Sequence, residues 1–141
     1  MKEYSKGIEI KQIPESLSDA EVIYWVQSGQ IGWRHMSFLK DYTALNDETL
    51  SDWLNISVKT IRNYRKPECT LNDNIKEHLV LLLSLYRHGN KVFGSSSDFY
   101  AWLSEKNFFF DGQPPETILN TIAGIRFVAD RLTSIEYGDN V

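Results

Sequence analysis

The sequence predicts an all-α protein, with an N-terminal helix-turn-helix domain followed by a small helical domain. Three observations carry this reading. Apolar residues return at i, i+3 and i+4 in one segment after another, the spacing of a helix face. Ser, Thr, Asn and Asp stand where those segments begin, and Gly or Pro where they stop. Between about residues 47 and 66, two short helical segments meet at a tight turn.

A length of 141 residues fits one domain or two small packed halves. Hydrophobic content of 42% is enough for a real core, and four Trp supply large anchors for it. Cys69 is the single cysteine, so no intramolecular disulfide forms and a reducing compartment is permitted. Nothing at Met1 reads as a signal peptide. The longest apolar run, Leu79 to Leu83, is far too short to span a bilayer, so a cytoplasmic protein with no membrane attachment is expected. Net charge is −4 and uneven: Met1 to Asn90 carries 11 basic against 12 acidic residues, and Lys91 to Val141 carries 4 against 7. This acidity disfavours indiscriminate nucleic-acid binding but leaves room for a local basic patch.

Met1 to Glu15 is polar and irregular and is expected to be a mobile arm. Ser18 and Glu21 form a capping box ahead of Val22, Ile23, Trp25 and Val26, with Gly29 as the stop and Trp25 as a core anchor. From Gly32 the pattern restarts, with Met36, Leu39 and Thr43 on one face and Phe38 and Tyr42 on its neighbour. Asn46-Asp47 caps a short helix, Glu48 to Leu54. Asn55 makes the turn, Ser57 opens a second helix from Val58 to about Lys66, and Pro67 stops it. Leu50, Leu54, Ile56, Ile61 and Tyr64 are apolar where the two helices must pack, and Ser51 is small where they approach. Glycine is commoner than Asn at such a turn, but Asn tolerates positive φ.

Laid out at about 100° per residue with Ile61 inward, the second helix turns Lys59, Arg62, Asn63 and Lys66 outward, with Thr60 at the margin. Ile56 to Lys66 holds four basic residues and no acid. Such a face can donate to guanine, read adenine through the Asn amide and grip phosphate. Ser57, Lys59, Thr60, Arg62, Asn63 and Lys66 are therefore the candidate DNA contacts. A solvated basic helix, or a helix-turn-helix that has lost DNA binding, would show the same residues.

Asp73-Asn74 is expected to cap a helix running to about His88, with Gly89 as its end. Ile75, Leu79, Leu82, Leu83 and Tyr86 form a stripe that Leu81 and Leu85 widen. A helix this apolar is buried on two sides or shared with a second subunit. The first domain would close near residue 90, leaving 91–141 as the second.

In that second part, Ser95-Ser96-Ser97 reads as a hinge and Ser97-Asp98 as a helix start. Phe99, Trp102 and Leu103 share the inward face, which makes Trp102 structural. Asn107 to Gln113 breaks the pattern, and Pro115 opens a short helix through Leu119. Thr121 caps a last helix in which Ile125, Val128, Leu132 and Ile135 recur at helical spacing, with Ile125, Val128 and Leu132 as the buried face. Phe127 lies roughly 160° from that face, alongside Asp130, Arg131 and Ser134. An exposed Phe ringed by polar groups is either a partner anchor or packs on the N-terminal half. Tyr137, Gly138, Asp139, Asn140 and Val141 have little to bury and no reason to be fixed.

Taken in order, Phe93-Gly94-Ser95, Ala101-Trp102-Leu103, Gly112 with Pro115, Leu119 with Thr121 and Gly124, and Ile135-Glu136-Tyr137-Gly138 resemble one family. It is the toxin-binding domain of RES–Xre antitoxins, the Xre/MbcA/ParS family. The likeness covers about the last third of the chain and is specific as an ordered set. Ile122-Ala123 departs from it, where more polar residues are expected after the capping Thr. The resemblance implies an Xre-like helix-turn-helix domain before it and a type II antitoxin that binds a RES-domain, NAD-consuming toxin. It implies a C-terminal end reaching into the toxin's NAD site, with Phe127, Asp130, Arg131, Ser134 and residues 137–141 as contacts. It also implies autoregulation through promoter DNA, and helix-turn-helix proteins usually read DNA as homodimers. A dimeric helix-turn-helix regulator without a toxin is the alternative.

No active site is legible. His35, His78 and His88 lack the i, i+3 or i+4 spacing of a helical metal site, and Cys69 has no Cys or His neighbour. No phosphate-binding loop, dinucleotide fingerprint or nucleophile elbow is present. Catalytic residues, metal ligands and cofactors are all expected to be none.

Overall fold

The computed structural model describes residues 7–141. Its seven α-helices are α1 (Asp19–Gln27), α2 (Trp33–Thr43), α3 (Asp47–Leu54), α4 (Val58–Tyr64), α5 (Asp73–Phe93), α6 (Ser96–Ser104) and α7 (Ile122–Glu136). Three single 3-10 turns join them, at Ile10–Gln12, Phe108–Phe110 and Pro115–Ile118. The protein is all-α, as expected, and the described residues form no strand.

The N-terminal caps are the local chemistry the sequence announces. Ser18 accepts from the Glu21 N–H while Glu21 reaches back to the Ser18 N–H, closing the capping box of α1. Asn46, Ser57 and Thr121 accept from the backbone N–H three residues on, at the heads of α3, α4 and α7. Asn55 adopts the left-handed conformation, φ 58°, between α3 and α4. Ser51 donates its hydroxyl to the Ile56 carbonyl across that turn, a contact only a small hydroxyl residue makes there.

The centre of the molecule is α5. Every residue from His78 to Tyr86 is buried, which is more than two full turns and therefore the whole circumference. From the N-terminal half α1, α2 and α3 pack against it, with α4 resting on α3 and α2, and α6 and α7 pack from the C-terminal half. A single chain thus buries a helix whose apolar width the sequence left open to a second subunit. Tyr86 and Phe99 meet edge to face at 4.9 Å between ring centroids, and Trp53 joins them from α3.

Four local expectations fail here. The helix does not stop at Gly89; it continues to Phe93 and ends on Gly94, φ 96°. Gly89 is needed for a different reason: a Cβ there would lie 2.3 Å from the Phe99 ring, so the glycine lets α6 close on α5. The cap of α5 is Asn72, not Asp73-Asn74. The cap of α6 is Ser95 rather than Ser97, and the triple serine is no hinge. Asn90 donates to both the Ser96 hydroxyl and the Tyr42 phenol, while the Ser96 hydroxyl donates to the Tyr42 carbonyl.

The fourth failure is the N-terminal arm. Residues 1–6 of it lie outside the described residues, but residues 7–15 are packed. Ile13 is buried, the Ser84 hydroxyl donates to the Pro14 carbonyl, and the Arg87 guanidinium donates to the Lys11 and Ile13 carbonyls. Arg126 on α7 likewise donates to the Leu17 carbonyl and to Asp19. Three side chains from α5 and α7 therefore satisfy backbone that would otherwise be orphaned near the core.

His35 on α2 is buried, with its Nδ1 accepting from the Gly32 N–H at 3.3 Å. Burial pushes its pKa down from 6.5 to about 4, so the ring is neutral at pH 7. The unfolded chain then takes up this proton first. Stability from this group is fully present above pH 6.5 and is lost as pH falls toward 4. His78, also depressed by burial, acts in the same direction. Unfolding free energy should drop by about 2–3 kcal/mol across that window through His35 alone. Urea titrations of His35→Gln should show a flatter pH profile than wild type; an unchanged slope would assign the loss elsewhere.

Candidate functional site

Two surfaces carry the candidate residues. On α4, Ser57, Lys59, Arg62, Asn63 and Lys66 are exposed and Thr60 is half-buried, close to the layout read from the helical step. The helix ends at Tyr64, so Lys66 sits just past its C-cap, Arg65. The Ser57 hydroxyl is already engaged, accepting from the Thr60 N–H and pairing with the Thr60 hydroxyl at 2.8 Å.

Sequence reasoning missed Asp47, the first residue of α3. Its carboxylate receives Lys40 from α2 at 2.8 Å, Arg65 at 2.9 Å and Arg62 at 3.2 Å. Burial pushes this carboxyl up, but the Lys40 hydrogen bond and the Arg65, Lys40 and Arg62 charges and contacts outweigh it and hold the pKa below its usual value. One acid thus orients two of the four basic residues in the 56–66 stretch and ties α2, α3 and α4 together. Arg62 stays 65% exposed, with its tip free beyond the Nε contact.

The second surface begins at Asn107. Its side-chain oxygen accepts from the Phe109 N–H, and its carbonyl accepts from the N–H groups of Phe110 and Gly112. Asp111 at φ 55° and Gly112 at φ 79° complete the turn. A 3-10 turn has three residues per revolution, so three successive side chains point three ways. Phe110 goes inward, against Trp102 and Phe127. Phe108 and Phe109 point out, 87% and 38% exposed. Trp102 is only half-buried, packing on Phe93, Phe99 and Phe110 rather than sinking with Phe99 and Leu103.

On α7, Phe127 is 53% exposed and meets Phe110 edge to face at 5.4 Å, so it rests on its own half of the chain. Ser134 is exposed, with its hydroxyl returned to the Asp130 carbonyl. Asp130 lines a different hollow, between residues 15–18 and α1, α5 and α7, with Arg126, Ala129 and Thr133. Arg131 does not project freely: its side chain is 9% exposed, with the guanidinium lying over the Phe109 ring.

The tail is fastened, contrary to expectation. Arg131 donates to the Asp139 carboxylate at 2.7 Å and to the Asn140 carbonyl. That hydrogen bond, with one from the Asn140 N–H, holds the Asp139 carboxyl below its usual range. The Val141 carbonyl accepts from the Trp102 indole and from the Asn107 amide. Tyr137 and Gly138 precede these contacts, exposed, with Gly138 at φ 100°. The signal for this lies in Arg131 itself, a cation eight residues from Asp139 and four from Phe127, but only the fold brings Trp102 and Asn107 to the chain end.

One group of side chains invisible to spacing rules also forms. Glu15, His88 and Glu136 bring their donor atoms within 4.8 Å of one another. The Lys91 ammonium bonds both carboxylates, at 3.2 and 3.3 Å, and Glu136 takes the His88 ring at 3.0 Å. The His88 and Lys91 hydrogen bonds hold the Glu136 carboxyl low. Lys91 supplies the positive charge that a cation would, so the cluster ties the N-terminal segment, α5 and α7 together.

Residues 88–138 match the model of one family, the C-terminal toxin-binding domain of Xre/MbcA/ParS antitoxins. The match supports an antitoxin of a type II toxin–antitoxin module, with a toxin as its partner. No curated protein matches the chain. Nor is any described helix long and apolar enough to cross a membrane.

The matched segment explains its own glycine. Gly124 follows the capping Thr121 by three residues, and its N–H donates to the Thr121 hydroxyl at 2.9 Å. A Cβ at Gly124 would lie 1.6 Å from the Ile118 carbonyl oxygen. That oxygen belongs to backbone and cannot swing aside. Gly124→Ala should therefore cost about 1–3 kcal/mol or more, as overpacking does. Thermal melts should show it, and an unchanged midpoint would mean that α7 can shift as a unit.

Proposed function

We propose that this chain is the antitoxin of a type II module whose toxin is a RES-domain, NAD-consuming enzyme. The observation that carries the reading is the coincidence of the toxin-binding match with a surface of exposed aromatic rings and a pinned acidic tail. The division remains as read from the sequence: 1–90 for DNA and 91–141 for the toxin, with α5 running through the boundary. Residues 137–141 enter the toxin's NAD site, held ready by Arg131, while Phe127, Asp130 and Ser134 stand exposed on α7 for further toxin contacts. Holding the tail in advance reduces the ordering entropy lost on binding. The acidic end suits a site built for phosphates.

The helix-turn-helix, α3 to α4, binds the module's own promoter in a cytoplasmic homodimer. Lys59, Arg62, Asn63 and Lys66 face the DNA, Asp47 aims Arg62, and Ser57 and Thr60 complete the set at the head of α4.

Two measurements test this. Deleting Tyr137 to Val141 should restore toxicity, read as arrested growth and falling NAD when the toxin is co-expressed, while promoter binding persists. Full protection by the truncated chain would remove the plug from the mechanism. Arg62→Ala should cost about 1–3 kcal/mol on the cognate site, and Lys66→Ala should weaken all sequences alike and flatten the salt dependence. A folded Arg62→Ala/Asn63→Ala double variant with wild-type promoter affinity would end the DNA proposal.

A further inference from the structure

We infer that Phe108, Phe109 and Phe127 form a docking anchor for the toxin, separate from the tail that plugs it; the inference rests on the antitoxin reading. Seven large hydrophobic residues are exposed among the described residues, and five of them are Phe108, Phe109, Phe127, Tyr137 and Val141. The three phenylalanines are linked through Arg131 and Phe110. Phe108 and Phe109 meet edge to face at 5.5 Å, Arg131 lies over the Phe109 ring, and Phe127 joins the same corner through Phe110. A turn closed by Asn107, Asp111 and Gly112 needs no aromatic residue at its two outward positions. Phe109 lies under the Arg131 guanidinium, but Phe108, 87% exposed, leaves apolar area in water with little return to folding, which is the mark of a surface kept for a partner.

Two observations commit the partner to the toxin. All three rings lie inside the segment that matches a toxin-binding domain. Val141 lines one hollow together with Trp102, Asn107, Phe108 and Phe109, so a protein that receives the tail must meet the rings. Buried aromatic anchors of this kind dominate interface energetics, and truncating them leaves a dry pocket unfilled.

The test uses the full-length chain and the toxin encoded beside it, carrying an inactivating substitution. Phe108→Ser/Phe109→Ser should weaken toxin binding by about 30-fold or more, read by calorimetry, with helicity and promoter binding unchanged. Ile23→Ser/Tyr24→Ser, which removes the exposed apolar pair on α1, should leave toxin affinity at the wild-type value. Failure of the wild-type chain to bind the toxin would refute the antitoxin reading itself. Wild-type affinity in the Phe108/Phe109 variant, with or without a change in self-association by sedimentation, would overturn the anchor alone. An equal loss from the α1 variant would overturn it too, because the effect would not be local to the rings.

Discussion

The structure depends on burying α5 around its whole circumference. Nine consecutive buried residues, His78 to Tyr86, leave no face of that stretch for water. Each fully buried Leu contributes about 1.5–3 kcal/mol relative to exposure, so covering this helix is the dominant favourable term. Every other helix is placed by that demand or by a neighbour that meets it. The glycine at position 89 belongs to the same constraint, because Phe99 can reach the helix only where a Cβ is missing.

Charged side chains then fix what the apolar core leaves loose. Arg87 and Arg126 hold the segment before α1, Arg131 holds the tail, and Lys91 joins Glu15 to Glu136. Exposed pairs of this sort contribute little stability one by one. Their effect is positional: guanidinium forks satisfy carbonyls at fixed angles, and so decide where irregular chain lies. Asp47 does the same for the basic stretch, where three cations from two helices meet one carboxylate.

The consequence for function is that both candidate surfaces are carried on rigid supports. The rings of Phe108 and Phe109 stand on a turn closed by Asn107, and the same Asn107 amide holds Val141. Anchor and tail therefore share one mount. On the other half, Ile61 packing sets which face of α4 points outward, and Asp47 orients Arg62 on it.

Much of this was legible in the chain. The capping box at Ser18, the caps at Asn46, Ser57 and Thr121, the left-handed Asn55, the outward set on α4 and the buried face of α7 all follow from chemistry within a few residues of each other. Backbone hydrogen bonds at helix ends and the 3.6-residue period are local, so a short window contains them. The tertiary structure alone decided the rest. It carried α5 past Gly89, capped α6 on Ser95, and packed residues 8–15 that composition marked as an arm. It also folded Arg131 and Val141 back on the body, and gathered Glu15, His88, Lys91 and Glu136. The packed arm, the folded-back tail and the Glu15, His88, Lys91 and Glu136 group join residues far apart in sequence. Whether a polar side chain faces water or a distant carbonyl is settled only when the core has brought that carbonyl within reach.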